Sequence, residues 1–257
     1  MEELSGLRIV DDLARAAAED FLRTVDESIA ARGRFTVALS GGSTPRALYR
    51  LLASGDEPYH RLIPWDSVHF FWGDERHVPP DHPDSNYRMA REALLDHVPV
   101  PAVNVHRIRG EAPDAAVAAA AYEEELRGFF QPAPGEAPRF DLVLLGLGPE
   151  GHTASLFPGS PALHETGRWV AAPWVEAHHT FRVTLTPPVL NAAARVVFLV
   201  SGADKAAALR AVIDFEGDSE GERDVDRYPA QVVRPAAGTL LWLVDRAAAG
   251  SLSRAAG

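Results

Sequence analysis

The chain has 257 residues, 46% of them hydrophobic, a formal net charge of −11 and no cysteine. Its length and apolar content support a substantial core in a single domain spanning 1–257. The missing cysteines exclude disulfides, thiolate nucleophiles, iron–sulfur clusters and cysteine-bound zinc. The charge disfavours nucleic acid or an anionic membrane as partner, since both require dense Lys and Arg. The acidic start, Met1-Glu2-Glu3-Leu4-Ser5, lacks the basic and apolar regions of a signal peptide, and no apolar run is long enough to span a bilayer. A soluble cytoplasmic protein, monomeric or a small homo-oligomer, is expected.

Leu13, Ala17, Phe21, Val25 and Ile29 repeat at a helical period across residues 11–32, and Gly33 is a plausible stop. Phe35 to Leu39 reads as a strand, followed by the turn Ser40-Gly41-Gly42-Ser43-Thr44-Pro45 and a helix over Arg46 to Leu52 with Pro45 at its first position. Val68 to Trp72 is a second strand, ending in Gly73-Asp74-Glu75-Arg76-His77 and a proline-rich loop, with a helix from about Ser85 to Leu95 beyond it. Ala115 to Phe130 is an alanine-rich helix, and residues 131–135 form a surface linker. The apolar run Leu142 to Leu145 suits a strand buried on both faces. Further strands are expected at Trp169–Ala172, Phe181–Thr186, Val196–Val200 and Leu240–Val244, with a helix over Ala203–Ile213 and an exposed acidic loop over Glu216–Asp226. This alternation predicts a doubly wound, mostly parallel α/β sheet with helices on both faces.

Chemistry gathers where strands end. The run Gly146-Leu147-Gly148-Pro149-Glu150-Gly151-His152 places an imidazole in a glycine-rich turn beyond a buried strand, and imidazole moves protons near neutral pH. A helix amino terminus beside His152 would favour its neutral form, whereas Glu150 would oppose that. Gly41, Gly42, Ser43 and Thr44 lie between a strand and a helix, so their N–H groups and hydroxyls form a natural phosphate cradle. Asp74 and Arg76 stand at another strand end, where a guanidinium can hold an anion and Asp74 can orient it or a hydroxyl.

Simpler readings compete with these. Ser-Gly-Gly-Ser suits an ordinary turn, and Asp74-Glu75-Arg76 suits a solvated charge cluster. The glycines at 146, 148 and 151 satisfy a dinucleotide pattern, but Pro149 lies inside it, and Pro158 and Pro161 would stop the following helix after little more than a turn. H-E-x-x-H and G-x-S-x-G are absent and His178-His179 are adjacent, which disfavours a catalytic metal and a serine hydrolase.

The blocks Ser40–Pro45, Trp72–His77, Gly146–Pro158 and Arg182-Val-Thr-Leu-Thr186 occur together and in this order. With Asp84-Ser-Asn-Tyr-Arg88, Ser201-Gly-Ala-Asp-Lys205 and Tyr228-Pro-Ala-Gln231, they make the chain resemble the 6-phosphogluconolactonase family from about Phe35 to Leu241. The resemblance implies a Rossmann-like domain shared with glucosamine-6-phosphate deaminases. It also implies cofactor-independent hydrolysis of 6-phosphogluconolactone to 6-phosphogluconate, a step of the oxidative pentose phosphate pathway. It places His152 at the catalytic position with Arg76 beside it, and brings Arg182 and Lys205 to the phosphate. One departure is Glu150, where the family pattern usually has Asp; the charge is kept and the reach is longer. The rivals are a sugar-phosphate deaminase or isomerase, whose pattern has Asp-Glu-Tyr in place of Asp74-Glu75-Arg76, and a non-catalytic sugar-phosphate sensor.

Overall fold

The computed structural model describes residues 6–213 and 223–252. The strands are β1 (Gly6–Val10), β2 (Phe35–Leu39), β3 (Val68–Trp72), β4 (Asp74–Arg76), β5 (Leu142–Leu145), β6 (Val170–Ala171), β7 (Trp174–Val175), β8 (Thr180–Leu185), β9 (Arg195–Val200) and β10 (Thr239–Asp245). The α-helices are α1 (Leu13–Arg32), α2 (Ser43–Ala53), α3 (Tyr59–Leu62), α4 (Asn86–Ala93), α5 (Ala115–Phe130), α6 (Pro187–Ala192) and α7 (Ala206–Ile213).

Six strands form a wholly parallel sheet in the order β1-β10-β9-β5-β2-β3. β2, β5 and β9 are buried at every position, as strands covered on both faces must be, and this explains why they are apolar but for Thr36 in β2 and Arg195 at the start of β9. The α1 helix follows its apolar repeat: Asp12 accepts from the Arg15 N–H at 3.0 Å, and Gly33 ends the helix at φ 72°. Its buried Phe21 meets Phe35 edge-on, with ring centroids 5.2 Å apart, and each such ring contributes roughly 2–3 kcal/mol by leaving water.

From β2 the chain crosses outward to β3, whereas from β5 it winds the other way to β9 and β10. The gap between β2 and β5 is therefore the point where winding reverses, and in open α/β sheets the ligand crevice lies there, beyond the carboxyl ends of the strands. Two buried tyrosines finish these ends. Tyr49 donates to the Ser40 carbonyl at 2.8 Å and accepts from the Ser40 N–H at 3.0 Å; Tyr122 does the same for Trp72, at 3.0 and 2.9 Å. Burial pushes both hydroxyls well above their ordinary range, so they remain neutral donors.

Alternation does not extend through the whole chain. β4, β8 and β6 make a separate antiparallel sheet, with β7 paired to β8, so the strands expected near 169–172 and 181–186 lie outside the parallel sheet. The bend is at Gly73, whose N–H donates to Leu39 and whose carbonyl accepts from Leu185, at 2.9 and 2.8 Å. The α2 helix begins at Ser43, so Pro45 occupies its third position, still within the turn that needs no N–H donors. Residues 95–97 and 203–205 are 3-10 turns flanking the helices expected there. β5 leads into an irregular loop with no helix before the 3-10 turn Pro161–His164, because the prolines and tight turns leave no room for one. The acidic loop expected over 216–226 lies outside the described residues up to position 222.

Candidate active site

An open cleft of about 230 Å³ lies at the winding reversal. Ser40, Gly41 and Gly42 border it from the end of β2, Asp74 and Arg76 from β4, Gly146 to Pro149 and His152 from beyond β5, and Lys205 from beyond β9. Asn86 and Ala154 complete the lining. Four stretches distant in sequence thus converge because each leaves a strand at the same end.

The His152 loop is a closed turn. The Gly148 N–H donates to the His152 carbonyl at 2.8 Å, the Gly151 N–H to the Gly148 carbonyl at 3.0 Å, and the Thr153 hydroxyl to the Gly146 carbonyl at 2.9 Å. Gly151 (φ 84°) and Ala154 (φ 48°) are left-handed, the latter a strained conformation for a residue with a side chain. The His152 ring stacks on Phe157 with centroids 4.2 Å apart and keeps 23% of its side chain exposed, enough for water to reach it. No helix begins beside it, so the expected dipole effect is replaced by Glu150, whose carboxylate lies 3.0 Å from Nδ1. The contact lacks hydrogen-bond alignment, and Nδ1 is buried without a bonded partner. The imidazole still holds the Glu150 carboxyl below its ordinary range, against partial burial.

β4 pairs with β8 so that Asp74 faces Thr184 and Arg76 faces Arg182. Directly opposed residues share a face, and alternate residues on a strand do too, so Asp74, Arg76, Thr184 and Arg182 line one side. Asp74 is buried, with one carboxylate oxygen accepting from the Ser155 hydroxyl at 2.6 Å and the other from Asn86 Nδ2 at 3.2 Å. Arg76 donates to the Asp84 carbonyl at 2.6 Å. The Nε atoms of Arg76 and Arg182 are both buried and unpartnered. Burial, then the neighbouring Arg76 charge, lowers the Arg182 pKa. Two adjacent guanidiniums, each with an unpartnered Nε, offer donors to an anion, although the Asp74 carboxylate shares their side of the strands.

Of the residues expected from sequence, His152, Asp74, Arg76, Gly41, Gly42 and Lys205 border one cleft, and Glu150 and Arg182 contact or oppose its members. Lys205 Nζ lies 3.0 Å from the Asp204 carboxylate. Ser43 and Thr44 do not border the cleft; they sit in the first turn of α2.

Sequence reasoning missed several supports. Glu75, 2% exposed, points to the opposite side of β4 and accepts from the N–H groups of Arg76, Asn86 and Tyr87 at 2.7–2.8 Å and from the Ser85 hydroxyl at 3.0 Å. Burial pushes its carboxyl upward while those four donors pull it down. It thereby fastens the start of α4 to the strand bearing Asp74 and Arg76. The Asp245 carboxylate similarly accepts from Ser201 and Gly202, holding the turn that carries Lys205. His178, at the β7–β8 turn, lies edge-on to Phe157 at 5.8 Å. Partial burial and the charges of Arg182, His152 and Arg76 lower its pKa. Ser85 and Asn86 fall within a block already noted, but nothing in periodicity assigned them these contacts.

Residues 9–242 match the family described as glucosamine-6-phosphate isomerases/6-phosphogluconolactonase. The chain is 46% identical over 232 residues to a 6-phosphogluconolactonase of Nostoc sp., covering 90% of each. It is 41% identical over 256 residues to that of Mycobacterium tuberculosis, covering 94% of this chain and 95% of the relative. The solved 6-phosphogluconolactonase from Trypanosoma cruzi has TM-score 0.81 and 33% identity, covering 98% of both chains. A monomeric glucosamine-6-phosphate deaminase has TM-score 0.76 at 20% identity, covering 95% of this chain and 99% of that one, a likeness of fold alone.

Proposed function

Because the chain belongs to the glucosamine-6-phosphate isomerase/6-phosphogluconolactonase family, we propose that it hydrolyses 6-phospho-D-glucono-1,5-lactone to 6-phospho-D-gluconate. The observation that carries this reading is the convergence of His152, Arg76, Asp74 and Lys205 with the glycines of two strand ends on one cleft. The closer kinship to lactonases, at 46% identity, favours this reaction over the deaminase chemistry of a relative at 20%.

Nδ1 of His152 is buried against Gly148, so Nε2 is the nitrogen offered to solvent. Neutral Nε2 takes a proton from water as the oxygen attacks C1, and the tetrahedral oxyanion forms beside the Arg76 guanidinium. Collapse breaks the bond from C1 to the ring oxygen, which recovers the proton from Nε2. The new carboxylic acid then ionises to solvent. Ionised Glu150 stabilises the transient imidazolium, while Asp74, oriented by Ser155 and Asn86, holds Arg76 or a substrate hydroxyl. The phosphate rests on the backbone of the glycine loop at Gly41 and Gly42, with Lys205 and Arg182 as cationic partners. No step requires a redox group or cofactor.

The test is a coupled assay with freshly generated lactone set against an enzyme-free blank, run beside an ammonia assay with glucosamine 6-phosphate. Accelerated lactone opening without ammonia is expected. Ammonia release with no lactone hydrolysis would assign the deaminase reaction, and binding of phosphogluconate without turnover of either substrate would make the protein a sensor.

A further inference from the structure

Asn86 is 3% exposed and yet borders the cleft. Its Nδ2 donates to the Asp74 main-chain carbonyl at 2.9 Å and to the Asp74 carboxylate at 3.2 Å. Both partners are acceptors, so the amide cannot be turned over without setting oxygen against oxygen, and the position of Oδ1 is chemically fixed. Its backbone is fixed as well, because the Asn86 N–H donates to Glu75 at 2.7 Å.

Oδ1 is thereby directed at the glycine loop. A Cβ on Gly41 would lie 1.9 Å from it, so the loop approaches this oxygen as closely as it does because Gly41 has no side chain. Oδ1 accepts no protein hydrogen bond among the described residues, and it stands beside Asp74. The chemistry at this point of the cleft is that of an acceptor. A phosphate oxygen would be repelled here, whereas a hydroxyl can donate to it.

We infer that Asn86 is a specificity-determining residue whose Oδ1 accepts a hydrogen bond from a secondary hydroxyl of the sugar lactone. The inference rests on the lactonase reading above and adds the group that reads the sugar. It also orders the ligand: the hydroxyl-bearing carbons lie against Asn86, and the phosphate lies further along, towards Gly42 and Lys205.

The test is a cycle of kcat/KM values for wild type and Asn86→Ala on the 6-phosphogluconolactone and its 2-deoxy, 3-deoxy and 4-deoxy analogues. Wild type should lose roughly tenfold or more on one deoxy analogue, and that analogue should lose no further when Asn86 is also removed. Losses that multiply independently for every analogue would overturn the inference, since a merely structural residue lowers all substrates alike. Asn86→Ser, which keeps a small polar side chain while drawing the acceptor back from Gly41, serves if the alanine variant does not fold. A wild type inactive on every lactone would instead refute the lactonase reading, and this inference with it.

Discussion

Gly148 lies where a side chain would collide with His152: a Cβ there would stand 2.0 Å from Nδ1 and 2.2 Å from Cε1. The glycine thus sets how deeply the imidazole seats against the end of β5. Gly148→Ala is expected to displace the ring by about 1 Å and to lower kcat/KM about a hundredfold, with the fold retained. Steady-state kinetics beside a melting curve would check this.

Arg76 and Arg182 face one another across two antiparallel strands, both with buried, unpartnered Nε atoms. Replacing one by an apolar side chain removes a buried charge and a like-charge contact. Arg182→Met should therefore raise stability by about 1 kcal/mol while weakening 6-phosphogluconate binding about tenfold or more. Thermal melts and calorimetric titration should move in opposite senses.

Tyr49 occupies both backbone groups of Ser40 at the start of the glycine loop. Tyr49→Phe leaves a buried N–H and carbonyl without a partner, at a cost of about 1–3 kcal/mol. Denaturant unfolding measures the loss, and KM should rise as the loop loosens.

The parallel sheet was readable because its central strands are short, mostly apolar runs between turn residues, and β2, β3 and α5 lie where the sequence puts them. The small antiparallel sheet was not: β4 is three residues long and polar, and only its pairing with β8 defines it. β1 is exposed along most of its length, leaving no apolar pattern to recognise. The site divides similarly. His152, Arg76 and the glycines belong to local motifs, whereas Ser155 and Asn86 act on Asp74 from 81 and 12 residues away. Local periodicity carries no information about such contacts.

Away from the cleft, His69 Nδ1 meets His106 Nε2 at 3.2 Å, and His106 Nδ1 meets Glu125 at 2.9 Å. Burial, then the neighbouring His106 and Arg34, pushes His69 down to about 4 from 6.5. A folded-state pKa below the unfolded value means that this contribution to stability is complete above pH 6.5 and is lost as pH falls towards 4. The midpoint of thermal unfolding should fall across that window, and His69→Phe should flatten the decline.

On this reading His152 activates the attacking water. Single-turnover and steady-state rates of His152→Ala on freshly generated 6-phosphogluconolactone, with 6-phosphogluconate affinity measured on the same preparation, test it most directly. A rate lowered about a hundredfold or more with affinity nearly intact is predicted; turnover close to that of the wild type would contradict it.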